Sequence, residues 1–101
     1  GMGYGLSEQL LLDEKTGRPL NNNLLDYKIP TAMDAPDLHV EFIQLDDPTG
    51  PYGNKALGEP PAIPTAPAVR NAILNATGVH MNVSPMTAQR LIEKFKEKGL
   101  I

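Results

Sequence analysis

Leu38-His39-Val40-Glu41-Phe42-Ile43-Gln44-Leu45 decides the fold class, because it is the clearest alternating stretch in the chain. Leu38, Val40 and Phe42 would share one face of an extended backbone, and His39 and Glu41 the other. Period-two alternation predicts a strand, with His39 an exposed strand residue and not a ligand. Asp46-Asp47-Pro48-Thr49-Gly50-Pro51 comes next as a turn cluster. Paired aspartates can hold a metal, but no further ligands stand beside them in sequence, so a solvated turn is expected. A second strand is expected at Val79, Met81 and Val83, which alternate with His80 and Asn82; Ser84-Pro85 breaks it.

Helices are expected around these strands. Met2, Leu6 and Leu10 fall at i, i+4 and i+8, which predicts a short helix over roughly residues 3–12. Gly3 and Gly5 weaken it, each by about 1 kcal/mol relative to alanine, so they point to close packing. Asp13-Glu14-Lys15-Thr16-Gly17 is a turn, and residues 18–37 are mostly irregular, since Asn21, Asn22 and Asn23 compete for backbone hydrogen bonds. Val69, Ala72, Ile73 and Ala76 form a narrow apolar helical face, with Thr65 as a candidate cap and Gly78 as the stop. Thr87 is expected to cap a last helix carrying Ala88, Leu91, Ile92 and Phe95, closed at Gly99. Lys94, Lys96 and Lys98 read as a solvated face near its C-terminal end. The expected fold is α+β: a small sheet of two or three strands packed with about three helices, in a single domain over residues 1–101.

Composition narrows the function. The chain has 101 residues, enough for one modest core, and a net charge of −3. No clustered basic surface points to nucleic acid. There is no cysteine, which excludes a disulfide scaffold and an iron–sulfur cluster held by this chain's own thiolates. His39 and His80 lack metal-ligand spacing. No apolar run approaches the ~20 residues that span a bilayer, and no signal segment opens the chain; a cytoplasmic location is the default expectation. A glycine before a methionine is a common scar of tag removal. On that expectation Met2 is the encoded start, and the product is a remnant or half of a split gene; a cloned fragment would read the same.

The candidate for chemistry is Glu59, within Gly53-Asn54-Lys55-Ala56-Leu57-Gly58-Glu59-Pro60-Pro61. Gly53 and Gly58 permit left-handed backbone and close approach of a ligand. Pro60 and Pro61 stiffen the backbone on the C-terminal side of the carboxylate. The arrangement can aim one carboxylate; a polar surface loop would carry the same punctuation.

Four ordered stretches carry a resemblance. Lys55 to Pro61 is similar to the segment bearing the active-site glutamate of molybdenum hydroxylases, the xanthine dehydrogenase and aldehyde oxidase family. Gly1-Met2-Gly3-Tyr4-Gly5-Leu6-Ser7-Glu8 resembles that family's Gly-x-Gly-Tyr/Trp-x-Leu-x-Glu helix. Leu20 to Thr31 resembles its Asn-x-Asn…Tyr-Lys-Ile-Pro stretch, and Ala66 to Ile73 the helix after the glutamate. Asn54 and Ala56 depart from the commoner bacterial pattern Gly-Ala-Lys-Gly-x-Gly-Glu.

The resemblance places the chain at the C-terminal end of the molybdopterin-binding large subunit. It implies that Glu59 is the general base in hydroxylation of an aldehyde or nitrogen heterocycle. It also implies a molybdenum–pterin cofactor held by upstream segments absent here, with electrons leaving through iron–sulfur or flavin domains or subunits. The isolated chain is expected to be inactive and to bind neither metal nor pterin, and it has no assigned cofactor contacts of its own. A homo-oligomer is expected from apolar surface left uncovered. The alternative is a non-catalytic remnant acting through protein association. Neighbouring reading frames for the upstream part would favour the enzyme segment.

Overall fold

The computed structural model describes residues 1–55 and 58–101. Among the described residues three helices form: α1 (Met2–Leu6), α2 (Thr65–Thr77) and α3 (Ala88–Glu97), with a 3₁₀ turn at Pro51–Gly53. Among the described residues the β-pairing is one isolated bridge, Leu12 to Pro19. The α+β expectation is therefore wrong. The chain is helical with long irregular connectors, and no sheet forms among the described residues.

The two expected strands fail for the same reason in different surroundings. Among the described residues, 38–45 have no neighbouring strand, and an unpaired strand leaves its backbone groups to solvent. Its apolar side chains stay exposed, Phe42 at 77% and Ile43 at 89%. Around residue 80 the period is right and the inference from it is not. Val79 and Met81 are buried while His80 and Asn82 are exposed, but the buried side faces helices. Alternation reports which side chains are covered. It does not report whether a backbone ladder exists.

The core sits on that extended segment. Val79, Met81 and Met86 are buried together, with Val69 and Ile73 of α2 and Leu91 and Phe95 of α3 packed against them. Helix α2 stops where expected: Gly78 adopts a left-handed φ of 71° and donates its N–H to the Leu74 carbonyl at 2.8 Å. Its start differs from expectation. Pro64 holds the cap position, and Thr65 is the first helical residue, with Oγ1 donating to the Pro61 carbonyl at 3.3 Å. Helix α3 begins at Thr87, whose hydroxyl accepts from the Arg90 N–H. It ends in a paired arrangement: Leu100 N–H to the Phe95 carbonyl at 2.9 Å and Gly99 N–H to the Lys96 carbonyl at 3.0 Å. These two bonds satisfy carbonyls that a helix end leaves orphaned.

Helix α1 is shorter than the expected 3–12. The Ser7 and Glu8 N–H groups both donate to the Gly3 carbonyl, at 2.9 and 2.8 Å, and close the turn. Beyond it, the buried Asn21 side chain ties down the chain instead. Its Oδ1 accepts from Leu11 N–H at 2.8 Å and its Nδ2 donates to the Gln9 carbonyl at 2.7 Å. Leu20 N–H donates to the Leu11 carbonyl at 2.8 Å, so residues 11–20 fold back on themselves. The expected turn at 13–17 forms at the tip, where Asp13 Oδ1 accepts from the Thr16 N–H and Thr16 hydroxyl, each at 2.7 Å. The Thr16 hydroxyl first, then its amide, holds the Asp13 carboxyl below the usual carboxylate range.

The chain is open for its length. Its radius of gyration is 17.9 Å, against about 13 Å for a compact domain of 100 residues. Its accessible surface is 8480 Å², against about 5,600 Å² for a folded monomer of this mass. Both gaps arise because residues 10–45 lie largely outside the small core, with Leu24 and Met33 also exposed.

Candidate functional site

Glu59 is exposed, at the start of a turn that feeds α2. Its carbonyl accepts from the Ala62 N–H at 2.9 Å, and the Ala62 carbonyl accepts from the Thr65 N–H at 3.3 Å. The flanking glycines behave as their sequence requires, with Gly53 at φ 73° and Gly58 at φ 109°. A side chain at either would be strained there. Among the described residues a Cβ added to Gly58 would meet nothing within 4 Å, so space is open beside its Cα. Tyr52 also adopts a left-handed φ of 55°, which makes the approach to this loop tightly wound. Ala56 and Leu57, central to the motif, lie outside the described residues.

Helix α1 is brought to the same end of α2. A Cβ at Gly1 would fall 2.6 Å from Thr65 Oγ1 and 3.0 Å from the Ala62 carbonyl oxygen. A Cβ at Gly5 would fall 3.3 Å from Ala66 Cα, so these helices approach almost backbone to backbone. The 84–86 segment holds the other side of α1: Ser84 Oγ donates to the Tyr4 carbonyl at 2.8 Å and Met86 N–H to the Gly5 carbonyl at 2.6 Å. The start of the chain and the Glu59 turn, more than fifty residues apart in sequence, are thus neighbours.

A polar link missed by sequence reasoning joins two more motifs. The Tyr27 hydroxyl donates to Glu8 Oε2 at 2.9 Å, and Ser7 Oγ donates to the Lys28 carbonyl at 2.8 Å. The Glu8 carboxylate lies over Gly3, where an added Cβ would collide with it and come within 2.6 Å of Pro30 Cδ. Gly3 is therefore fixed by Glu8 and Pro30. The hydrogen bond to Glu8, then burial, raises the Tyr27 phenol above its ordinary value of 10.0. The raised value stabilises the fold below the unfolded phenol's pKa, and that contribution is lost as pH rises through the folded one. Glu8→Gln is expected to move the Tyr27 titration back toward 10.0, as read by ultraviolet difference absorbance; an unchanged Tyr27 titration would show that the carboxylate is not its partner.

The remaining candidates stay apart. His39 is exposed and contacts Glu41 at 2.9 Å, a pairing that extended backbone allows at i and i+2. Asp47 Oδ1 accepts from the Thr49 hydroxyl at 2.7 Å and the Thr49 N–H at 2.9 Å, so it serves its own turn. Among the described residues no three His, Cys, Asp or Glu side chains gather to hold a metal. A groove of about 400 Å³ lies between α1, α2 and residues 81–86, lined by Tyr4, Arg70 and Met81 among others. Glu59 does not line it, and Arg70 Nε is already committed to the Met81 carbonyl at 2.7 Å.

A family model described as a molybdopterin cofactor-binding domain matches residues 1–36. The chain is 50% identical, over all of its 101 residues, to the xanthine dehydrogenase molybdenum-binding subunit of Escherichia coli O157:H7. The chain belongs to the xanthine dehydrogenase and aldehyde oxidase family. Two further members are each 33% identical to it over 98 residues. One is the aldehyde oxidoreductase molybdenum-binding subunit PaoC of Escherichia coli K12, matched by 96% of this chain. The other is subunit gamma of the 6-hydroxypseudooxynicotine dehydrogenase complex of Paenarthrobacter nicotinovorans, matched by 93%. The chain spans only 13%, 13% and 12% of the lengths of these three family members.

Membership makes the donor set intelligible. The donor here is an exposed carboxylate, Glu59, and among the described residues nothing lies within 4 Å of a Cβ built at the neighbouring Gly58, so other chain segments have room to approach. No helix of the described residues is long and apolar enough to cross a membrane.

Proposed function

We propose that this chain is the C-terminal segment of a molybdenum-containing hydroxylase and that Glu59 is its general base. The observation that carries the proposal is the identity along the full chain to molybdenum-binding subunits. The exposed position of Glu59, beside α1 and at the head of α2, supports it. When bound, a molybdenum–pterin cofactor supplies the redox chemistry of hydroxylation at an electron-poor carbon of an aldehyde or nitrogen heterocycle. Glu59 takes up a proton on its carboxylate, which needs a heavy-atom approach within about 3 Å of the group it serves. The left-handed Gly58 and the turn from Glu59 to Ala62 set the direction of that carboxylate. Helix α1, docked on α2 through Gly5 and Ala66, braces the turn from behind. Iron–sulfur or flavin units on other domains or subunits remove the electrons.

The non-catalytic alternative is a remnant that folds alone and acts through protein association. The many exposed large apolar side chains fit a segment that packs against further chain of its own subunit. The test is co-expression with the polypeptide that supplies the remaining subunit. Stoichiometric molybdenum and pterin are expected in the assembly and not in the chain alone. Cofactor bound stoichiometrically by the chain alone would overturn the assignment of the cofactor's main cradle to upstream segments.

A further inference from the structure

Three successive residues join α3 to α1. The Ser84 hydroxyl donates to the Tyr4 carbonyl at 2.8 Å, the Pro85 carbonyl accepts from the Arg90 guanidinium of α3 at 2.7 Å, and the Met86 N–H donates to the Gly5 carbonyl at 2.6 Å. Tyr4 and Gly5 lie in the last turn of α1, whose carbonyls have no donor within the helix. Helix α1 has five residues, two of them glycine, far below the roughly 12 at which an isolated helix is even marginal. Its attachments therefore decide where it sits. On one side, Ser7 and Glu8 bond to residues 27–28, but the stretch leading there carries the exposed Leu24 and Leu25 and rides on α1. Segment 84–86 is a firmer support, because Met86 is buried in the core with Val79 and Met81.

The other face of α1 meets the Glu59 turn without slack. A Cβ at Gly5 would stand 3.3 Å from Ala66 Cα, and one at the cap residue Gly1 would stand 3.0 Å from the Ala62 carbonyl oxygen. The Ala62 N–H in turn donates to the Glu59 carbonyl at 2.9 Å. Backbone packed this closely passes a displacement on instead of absorbing it. We propose that residues 84–86 are a clasp that sets α1 against the Glu59 turn, with Ser84 and Arg90 as positioning residues for the Glu59 carboxylate. This rests on the reading of Glu59 as the general base. Ser84 and Arg90 act through α1 and not on the reacting atoms. The Met86 bond belongs to the main chain, so Ser84 and Arg90 are the side chains through which the clasp can be loosened.

The first measurement is amide hydrogen exchange on the 101-residue chain. Ser84→Ala is expected to speed exchange at Gly5, Ser7, Glu8 and Ala62 by about two- to tenfold, the range for loss of one hydrogen bond, with the amides of α3 unchanged. Arg90→Met removes the bond to Pro85 and is expected to speed the same amides. Ser84→Thr keeps the hydroxyl and should match the parent. Unchanged exchange at Ala62 in either loosening variant would overturn the proposal. So would equal acceleration along α3 in Ser84→Ala, which would make the bond a general stabiliser. The second measurement is steady-state kinetics of the cofactor-loaded assembly. Ser84→Ala is expected to lower kcat by about tenfold, less than the roughly hundredfold cost of a 1 Å misplacement. KM and molybdenum content should stay unchanged, and Ser84→Thr should restore kcat. An unchanged kcat, or a change in KM alone, would overturn the proposal. The exchange result does not depend on turnover, and Glu59→Gln tests the carboxylate itself, so a failure of the clasp is distinct from a failure of the general-base reading.

Discussion

Glu59→Gln, introduced into a complete and cofactor-loaded assembly, is expected to lower turnover by about 10²–10⁴-fold. The amide keeps the size of the side chain and part of its hydrogen bonding. An amide cannot take up a proton as a carboxylate does. Fold and cofactor content should be unchanged, because Glu59 is exposed and its backbone carbonyl, not its side chain, makes the turn to Ala62. In the isolated chain the same substitution should change stability by less than about 0.5 kcal/mol, as surface substitutions usually do. Steady-state kinetics on the assembly and urea unfolding of the chain check the two halves. Near-normal turnover would end the general-base assignment. Unfolding of the isolated chain would make Glu59 a structural residue.

The largest expected loss of stability is at Met81. Its side chain is buried with Val79 and Met86 between α2 and α3, while its carbonyl holds Arg70 Nε at 2.7 Å. Met81→Ala keeps the carbonyl and removes the side chain, and truncations of this kind cost about 2–5 kcal/mol. A domain of this size has only about 5–15 kcal/mol in hand, and a chain with so few fully buried side chains sits toward the bottom of that range. The substitution is therefore expected to leave a large unfolded fraction in dilute buffer, seen as a lowered urea midpoint and lost helical circular dichroism. Val83→Ala, at an exposed position of the same segment, is the matched control and should be nearly silent. If both variants behaved alike, the core would lie elsewhere.

Family membership was legible in sequence because four motifs occur in order, and the comparisons bear that out. The later helices were legible because their signals are local. Thr87, Gly78 and Gly99 mark their ends through their own side chain or their own φ, and no distant residue is needed. Helix α1 was overextended because its end is decided non-locally. Asn21, ten residues beyond Leu11, supplies the hydrogen bonds that replace further helical turns.

The sheet was misread for the same reason. A strand is defined by its neighbour, and neither 38–45 nor 79–83 has one among the described residues. Their apolar patterns are genuine: at 79–83 helices cover it, and at 38–45 the side chains are exposed. The bond between Tyr27 and Glu8 likewise joins two stretches whose individual sequences do not announce each other. What the sequence by itself determined is the family, the two later helices and the candidacy of Glu59. What tertiary structure decided is that α1 and the Glu59 turn meet at one end of α2. It also decided that Gly3 and Gly5 are held small by Glu8, Pro30 and Ala66. The physical reason is range: caps, turns and glycine conformations act within about one helical turn, whereas pairing and packing depend on what the rest of the chain brings alongside.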